Sequence, residues 1–398
     1  MIKSFLQNWF SVIFIIILIF PSLNMATNVI KDFDSSEKRK LAEFPTLDLS
    51  QTAKNPRKNQ IYSFPKKVDD FVNDNFTLRN YSIDKHKEFY FYFSDNAEIG
   101  EVLKGKDGWF EFYSGLTKNY WENGFSDGEI TYWHEKLLAR QKYFESKGIK
   151  FYTFIVPIKL SLMPEKFPKK YSEFPEPGSQ KLIKYNKNLG NKLNLTGFKE
   201  SLEKDPEKYY FKSDFHWNED GGYEGYQQVY NELINNGVKM KKIEKDSCRV
   251  EKIGKYSGDL IQFMGIQNDS FVDQYSDKNS NHYLCDSSNI RADNLMSEYN
   301  LPTVSKTYSE NSNYDKAVIL RDSYVSYMSP FLAPSFSQID MFSSPTFFEN
   351  NSFDFIQKNK PDVVIQIFVE SNMRRGFIQN NPEIDKFWEE NRCKYIQC

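Results

Sequence analysis

The chain has 398 residues, with 52 Lys and Arg against 54 Asp and Glu, a net charge of −2 and a pI near 6.2. That length allows one large domain or two ordinary ones with a sizeable core, and the charge balance excludes a nucleic-acid binder working through a basic surface. The mean hydropathy of −0.65 reflects abundant Lys, Asn, Ser, Asp and Glu rather than a missing core, since 39% of residues are hydrophobic. The 35 Phe and 25 Tyr read first as core packing and second as faces for stacking sugars.

In chain order, a nearly uncharged run from Phe5 to about Ala26 comes first, centred on Val12–Phe20. About 20 apolar residues suffice to span a bilayer, and a short positive start followed by an apolar run also begins a signal peptide. Bulky residues at Leu23-Asn24-Met25-Ala26 leave no convincing small-x-small cleavage site, so residues 1–27 read as an uncleaved signal anchor with the rest outside the cytoplasm; a cleaved secreted form and a cytoplasmic domain on a tail are the other readings. Lys31, Lys38, Arg39 and Lys40 do not favour that orientation, but long domains translocate largely regardless of flanking charge. Residues 28–62 are polar, carry Pro45 and Pro56, and read as a connector.

From there to about residue 375 the pattern is a globular α/β domain. Apolar residues recur at helical spacing over Val68–Phe93. Val102-Leu103 and Gly105–Phe110 suggest strand–turn–strand, with Asp107-Gly108 as the turn. Ser126 and Glu129 form a capping-box pair opening a helix that stops at Gly148. Phe151–Val156, Ala317–Leu320 and Asp362–Val369 are continuous apolar strands, the mark of a parallel sheet covered on both faces. Residues 241–312 are poor in apolar side chains and read as a long excursion; 376–398 read as a tail. Cys248 with Cys285 could close a large loop and Cys393 with Cys398 a small one, and unpaired thiols are the other reading. No cysteine lies in a C-x-x-C pair, which argues against zinc.

Two segments carry reactive chemistry: Ser213-Asp214-Phe215-His216-Trp217-Asn218 before a helix, and Asp322-Ser323-Tyr324 between a strand and a helix. Acyl transfer needs a hydroxyl beside a base, histidine titrates near neutrality, and a carboxylate fixes its tautomer. A Ser on the turn after a buried strand stands at the sheet's carboxyl edge, where the N–H groups that follow can hold an oxyanion. Asp214 and His216 are two apart, so an extended segment puts both side chains on one side. Taken alone, a Ser after a strand is most often a helix cap and an Asp-x-His is often a surface or capping pair. Of the other histidines, His134 reads as packing, while His86 and His282 lie away from both segments. A metal at Asp214 and His216 would need a second ligand motif, and the sequence offers none; phosphate loops are absent too.

These residues resemble the alginate O-acetyltransferases of the AlgX/AlgJ type and their Asp-His-His-Trp relatives. The resemblance runs from about Ser36 to Met373 through Glu37–Pro45, Phe71–Arg79, Gly105–Phe110, Pro157-Ile158-Lys159, Lys212–Asn218, Ser257–Leu260, Asp322-Ser323-Tyr324 and Pro361–Val364. It implies an α/β, three-layer SGNH-like (flavodoxin-like) fold with a mostly parallel central sheet, and catalysis by Ser323, His216 and Asp214. It also implies acetyl transfer to polysaccharide hydroxyls on the periplasmic face of the inner membrane, with no cofactor or metal. An integral-membrane O-acyltransferase would supply the acetyl group. Lys159, Arg321, Tyr324 and Trp217 are the expected substrate-binding residues. Arg321 stands where a small residue is common, and either reshapes the pocket or meets an anionic sugar. Glu370-Ser371-Asn372 lacks the Arg expected beside the Glu, and no separate carbohydrate-binding domain is expected after Met373. An acetylesterase using the same triad, or a non-catalytic glycan-binding scaffold, are the competing functions.

Overall fold

The computed structural model describes residues 42–46, 56–75, 79–94, 97–173, 175–266, 268–285, 293–294, 304–308, 313–343, 350–374 and 381–396, with isolated positions 9, 12 and 15. The expected anchor lies outside the described residues except for Trp9, Val12 and Ile15, which are helical. Among the described residues no helix is long and apolar enough to cross a membrane.

The chain divides into two compact units, one of residues 1–95 with 265–268, the other of 96–264 with 269–398. The first holds helices α1 (Pro56–Asn75) and α2 (Arg79–Phe93). The end of the expected connector is therefore helical: Pro56 opens α1, where its fixed φ suits the first turn and its missing N–H leaves no bond unmade.

The second unit begins with a small antiparallel sheet, β1 (Glu98–Ile99), β2 (Val102–Lys104) and β3 (Phe110–Phe112). Asp107 and Gly108, at φ 56° and 77°, reverse the chain between β2 and β3, a left-handed pair that Asp-Gly adopts readily. The central sheet has seven strands: β4 (Lys150–Val156), β5 (Leu195–Gly197), β8 (Asp293–Asn294), β9 (Val304–Tyr308), β10 (Lys316–Arg321), β11 (Gln338–Phe342) and β12 (Val363–Val369). Their order is β5-β4-β12-β10-β11-β9-β8, parallel from β5 to β11 and antiparallel at β9 and β8.

Every residue of β12 is buried, as is β4 beyond Lys150, because both faces are covered. On one face α3 (Asp127–Ser146) stacks Phe144 on Phe151 of β4 and sets Trp133 against Phe368 of β12. On the other, Phe154 stacks on Phe198, which leads through Trp217 to α4 (Glu219–Asn235) and α5 (Val325–Leu332). The Ser126–Glu129 capping box is formed, and Gly148 ends the helix region at φ 78°.

Two expectations change. The tail contains α6 (Pro382–Asn391), whose Ile384 and Trp388, four apart on one helix face, are buried. Glu383 and Asp385 bond Tyr143 and Lys136 of α3, so this segment belongs to the core. The excursion holds a hairpin of β6 (Arg249–Tyr256) and β7 (Asp277–Leu284), closed at its open end by a Cys248–Cys285 disulfide. Cys393 is also disulfide-bonded, and Cys398 lies outside the described residues.

Candidate active site

The Ser323 turn follows from the sheet. Ala317–Leu320 are buried between β11 and β12, so the chain leaves β10 at the carboxyl edge of the parallel strands, where such sheets carry their sites. Asp322 braces the turn: Oδ2 accepts from Val369 N (2.6 Å) and Asn372 Nδ2 (2.9 Å), and Oδ1 from Tyr324 N (3.0 Å). Burial pushes its carboxyl upward, and these N–H groups with nearby His216 pull it partly back.

The histidine segment is built differently. Asp214 and His216 meet because the Asp214 carboxylate caps the backbone ahead of it, accepting His216 N at 2.9 Å. The expected extended geometry gives way to an Asx-type turn. The same Oδ1 lies 2.7 Å from His216 Nδ1, and His216 Nε2 lies 2.7 Å from Ser323 Oγ. The other oxygen, Oδ2, accepts the Tyr256 hydroxyl at 2.8 Å and Asp259 N at 3.1 Å. Asp214 is 1% exposed. Burial alone would raise its carboxyl, but His216, through its ring and backbone N–H, and Tyr256 hold it well below the usual carboxylate range. A carboxylate is acceptor-only, so Nδ1 carries the ring proton and Nε2 is free to accept from the Ser323 hydroxyl.

Around this line, Lys212 N and Ser213 N donate to Asp277 at 2.9 and 3.0 Å, and Ser213 Oγ to the same carboxylate at 2.5 Å. Gly258 N donates to Ser213 Oγ, and a side chain at Gly258 would stand 2.4 Å from the Ser213 carbonyl oxygen. Only glycine permits that approach.

The expected binding residues separate. Tyr324 lines the pocket; its hydroxyl donates to Phe215 O at 2.6 Å and its ring faces His216 at 4.8 Å. Lys159 is 0% exposed, and its ammonium donates to the carbonyls of Phe211, Lys212 and Asp214 (3.1, 3.3 and 2.7 Å). It ties down the histidine segment from beneath in place of the expected substrate contact. Burial drives Lys159 down and neighbouring Glu111 up, and the attraction between them offsets part of each shift. Trp217 is fully buried, with Nε1 donating to Tyr324 O at 2.8 Å, a strut between the two halves of the site rather than a sugar platform. Arg321 leans on its own turn, Nη1 donating to Asp322 O (3.2 Å) and Ser326 Oγ (3.4 Å).

Ser323 opens into a pocket of about 360 Å³. Its walls include Phe112, Phe215 and Phe263, with ring centroids 5.5–6.3 Å apart, and the polar side chains of Thr117, Ser371 and Asn372. Tyr324 N is committed to Asp322, so the first N–H after the serine is not the oxyanion donor expected there. The Asn372 amide has a second hydrogen beyond its bond to Asp322 and lines the pocket. Sequence reasoning missed Asn372, although its place just past a buried strand at the carboxyl edge was a usable signal. Neighbouring Glu370 is 0% exposed and accepts from Ile158 N, Tyr120 and the hydroxyls of Ser161 and Ser179; it holds the end of β12.

A mostly parallel sheet covered on both faces, with a serine, histidine and aspartate aligned at its carboxyl edge, is the architecture of an SGNH hydrolase-like domain. Residues 102–347 match the family described as the SGNH hydrolase-like domain of acetyltransferase AlgX, and the chain belongs to that family. No curated protein matches it in sequence. The fold is similar to PatB1 of Bacillus cereus (17% identity, 70% of this chain and 99% of that one, TM-score 0.52). It is also similar to a DHHW family protein of Eubacterium siraeum (19% identity, 73% and 97%, TM-score 0.50).

Proposed function

We propose that the chain is an O-acetyltransferase that moves acetyl groups onto hydroxyls of an exported polysaccharide through an acetyl-Ser323 intermediate. In the first step Ser323 Oγ attacks the donor's acetyl carbonyl while its proton passes to His216 Nε2. The leaving group departs with that proton. In the second, a sugar hydroxyl gives its proton to His216 and its oxygen attacks the acetyl carbon, and Ser323 leaves reprotonated. Asp214 keeps the imidazole in the tautomer that both steps need. The Asn372 amide and the Ser323 N–H are the groups proposed to meet the oxyanion.

The observation that carries this reading is the unbroken line Asp214–His216–Ser323, at 2.7 Å per link, ending in a pocket of about 360 Å³. The phenylalanine rings there suit the CH groups of a sugar. The wider setting belongs to the same proposal: an N-terminal anchor, a place outside the cytoplasm and an acetyl donor presented by an integral-membrane acyltransferase.

The test is turnover of an activated acetyl ester by the full chain, with and without neutral and acidic oligosaccharides, followed by mass spectrometry of the sugars. Acetylated sugar formed at the expense of free acetate is the expected result. Ester hydrolysis that no sugar affects would make the chain an acetylesterase, and a folded chain without turnover would favour a glycan-binding scaffold.

A further inference from the structure

The Asp214 carboxylate is held by a part of the chain that belongs to neither the serine turn nor the histidine segment. Tyr256 ends β6, and its hydroxyl reaches Asp214 Oδ2 at 2.8 Å. An ionised carboxylate cannot donate, so the tyrosine proton is committed to it. The Tyr327 hydroxyl, 3.4 Å from that of Tyr256, is then the donor in their contact. Burial and the Asp214 charge both push the Tyr256 phenol up, which keeps that proton in place. Oδ1 is occupied by the two N–H groups of His216, whereas among the described residues Oδ2 takes Tyr256 and Asp259 N. Removing the phenol oxygen leaves one of those two donors, in a site too buried for easy replacement by water.

We infer that Tyr256 is a positioning residue for the triad, acting through Asp214 to fix the carboxylate plane and, with it, the imidazole that faces Ser323. It is not among the residues that line the pocket, and its hydroxyl meets Asp214 rather than Ser323. The hairpin that carries it contributes the other restraints too: Asp277 at the start of β7 anchors Lys212 and Ser213, and Leu260 N donates to Ser213 O at 3.1 Å. Phe211, on the near side of the segment, packs its ring 4.8 Å from that of Tyr256. The excursion from the core is thus the clamp that shapes the acid–base half of the site.

The inference rests on the proposed role of the Asp214–His216–Ser323 line, and a probe that needs no sugar or natural donor separates the two. Phenylmethylsulfonyl fluoride forms an Oγ–S bond as fluoride leaves and the serine proton passes to His216, so its rate of attachment to Ser323 in the full chain reads the triad directly. Tyr256→Phe is expected to slow labelling about tenfold, the usual weight of a hydrogen bond to a buried charge. In an Asp214→Asn background the same change should alter the rate less than about twofold, because the carboxylate it acts on is gone. Tyr226→Phe is the structural control: it removes a buried hydroxyl bonded to Ile243 N and Ser335, and should lower the melting temperature while leaving labelling at the wild-type rate. Labelling of Tyr256→Phe at the wild-type rate, an equal loss in the Asp214→Asn background, or an equal slowing by Tyr226→Phe would each overturn the inference. Wild-type chain that takes up no label at Ser323 would overturn the triad reading, and the inference with it.

Discussion

The two halves of the site are held in place by different means. The Ser323 turn is held from within the sheet: Asp322 takes N–H groups from Val369 at the end of the adjacent parallel strand, from Tyr324 inside the turn and from the Asn372 amide just past that strand. The Asp214–His216 segment is held by side chains from elsewhere: Tyr256, Asp277 and Lys159. A turn that follows from strand order forms whenever the sheet forms. A segment restrained by a hairpin can lose its geometry while the sheet stays intact. Loss of the hairpin's hydrogen bonds to that segment should therefore cost activity more than stability, whereas damage to the sheet should cost both.

The largest effect that separates the halves is expected from Asp214→Asn. The amide no longer fixes the histidine tautomer, so kcat should fall by about 10²–10⁴-fold with little change in KM. The same variant has a pH consequence. Asp214 is held below its ordinary range in the folded chain, so its contribution to stability is complete above about pH 4. It is lost as the pH falls through the lower folded value. Acid unfolding followed by circular dichroism should accordingly be less steep below about pH 4 in Asp214→Asn than in wild type.

Next comes the hairpin itself. The Cys248–Cys285 bridge spans 37 residues, which corresponds to about 4 kcal/mol of loop-closure stabilisation in the chain-entropy view. Replacing both cysteines with alanine should lower the urea midpoint. Under conditions where the variant is still folded, it should also slow acyl-enzyme formation, because Tyr256 and Asp277 lie on the loosened strands. Equal activity in folded variant and wild type would show that the clamp does not need the bridge. The smallest effect is expected from Trp217→Phe. It removes one hydrogen bond to Tyr324 O and part of a fully buried ring, about 2–3 kcal/mol of stability by denaturant titration, with catalysis and KM for acceptor sugars close to wild type. A raised KM would return Trp217 to the pocket.

The same division decides what could be read from sequence. The apolar runs of β4, β10 and β12 and the turn residues at Asp107-Gly108 report local and near-local physics. The central sheet and the placement of Ser323 were therefore legible. So was the pairing of Asp214 with His216, although an Asx turn rather than an extended strand makes it. The fates of Lys159 and Trp217 were not legible: whether a lysine at a strand end points to solvent or into three carbonyls depends on a segment some 50 residues away. The role of Tyr256 was hidden for the same reason. It ends a charged and mostly exposed strand, β6, whose composition speaks of solvent while its last residue reaches a buried carboxylate. The helix at Pro382–Asn391 was missed because a short amphipathic segment near a chain end carries too few apolar positions to stand out.

The central claim is that Ser323 becomes acylated with His216 as its base. Intact-protein mass spectrometry of the full chain after brief exposure to an activated acetyl ester, beside Ser323→Ala and His216→Ala, tests it most directly. One added acetyl group is expected, located on Ser323, absent from Ser323→Ala and slowed at least about 10³-fold in His216→Ala. An adduct that persists in Ser323→Ala, or a folded wild-type chain that gains no acetyl group and turns over no ester, would contradict it.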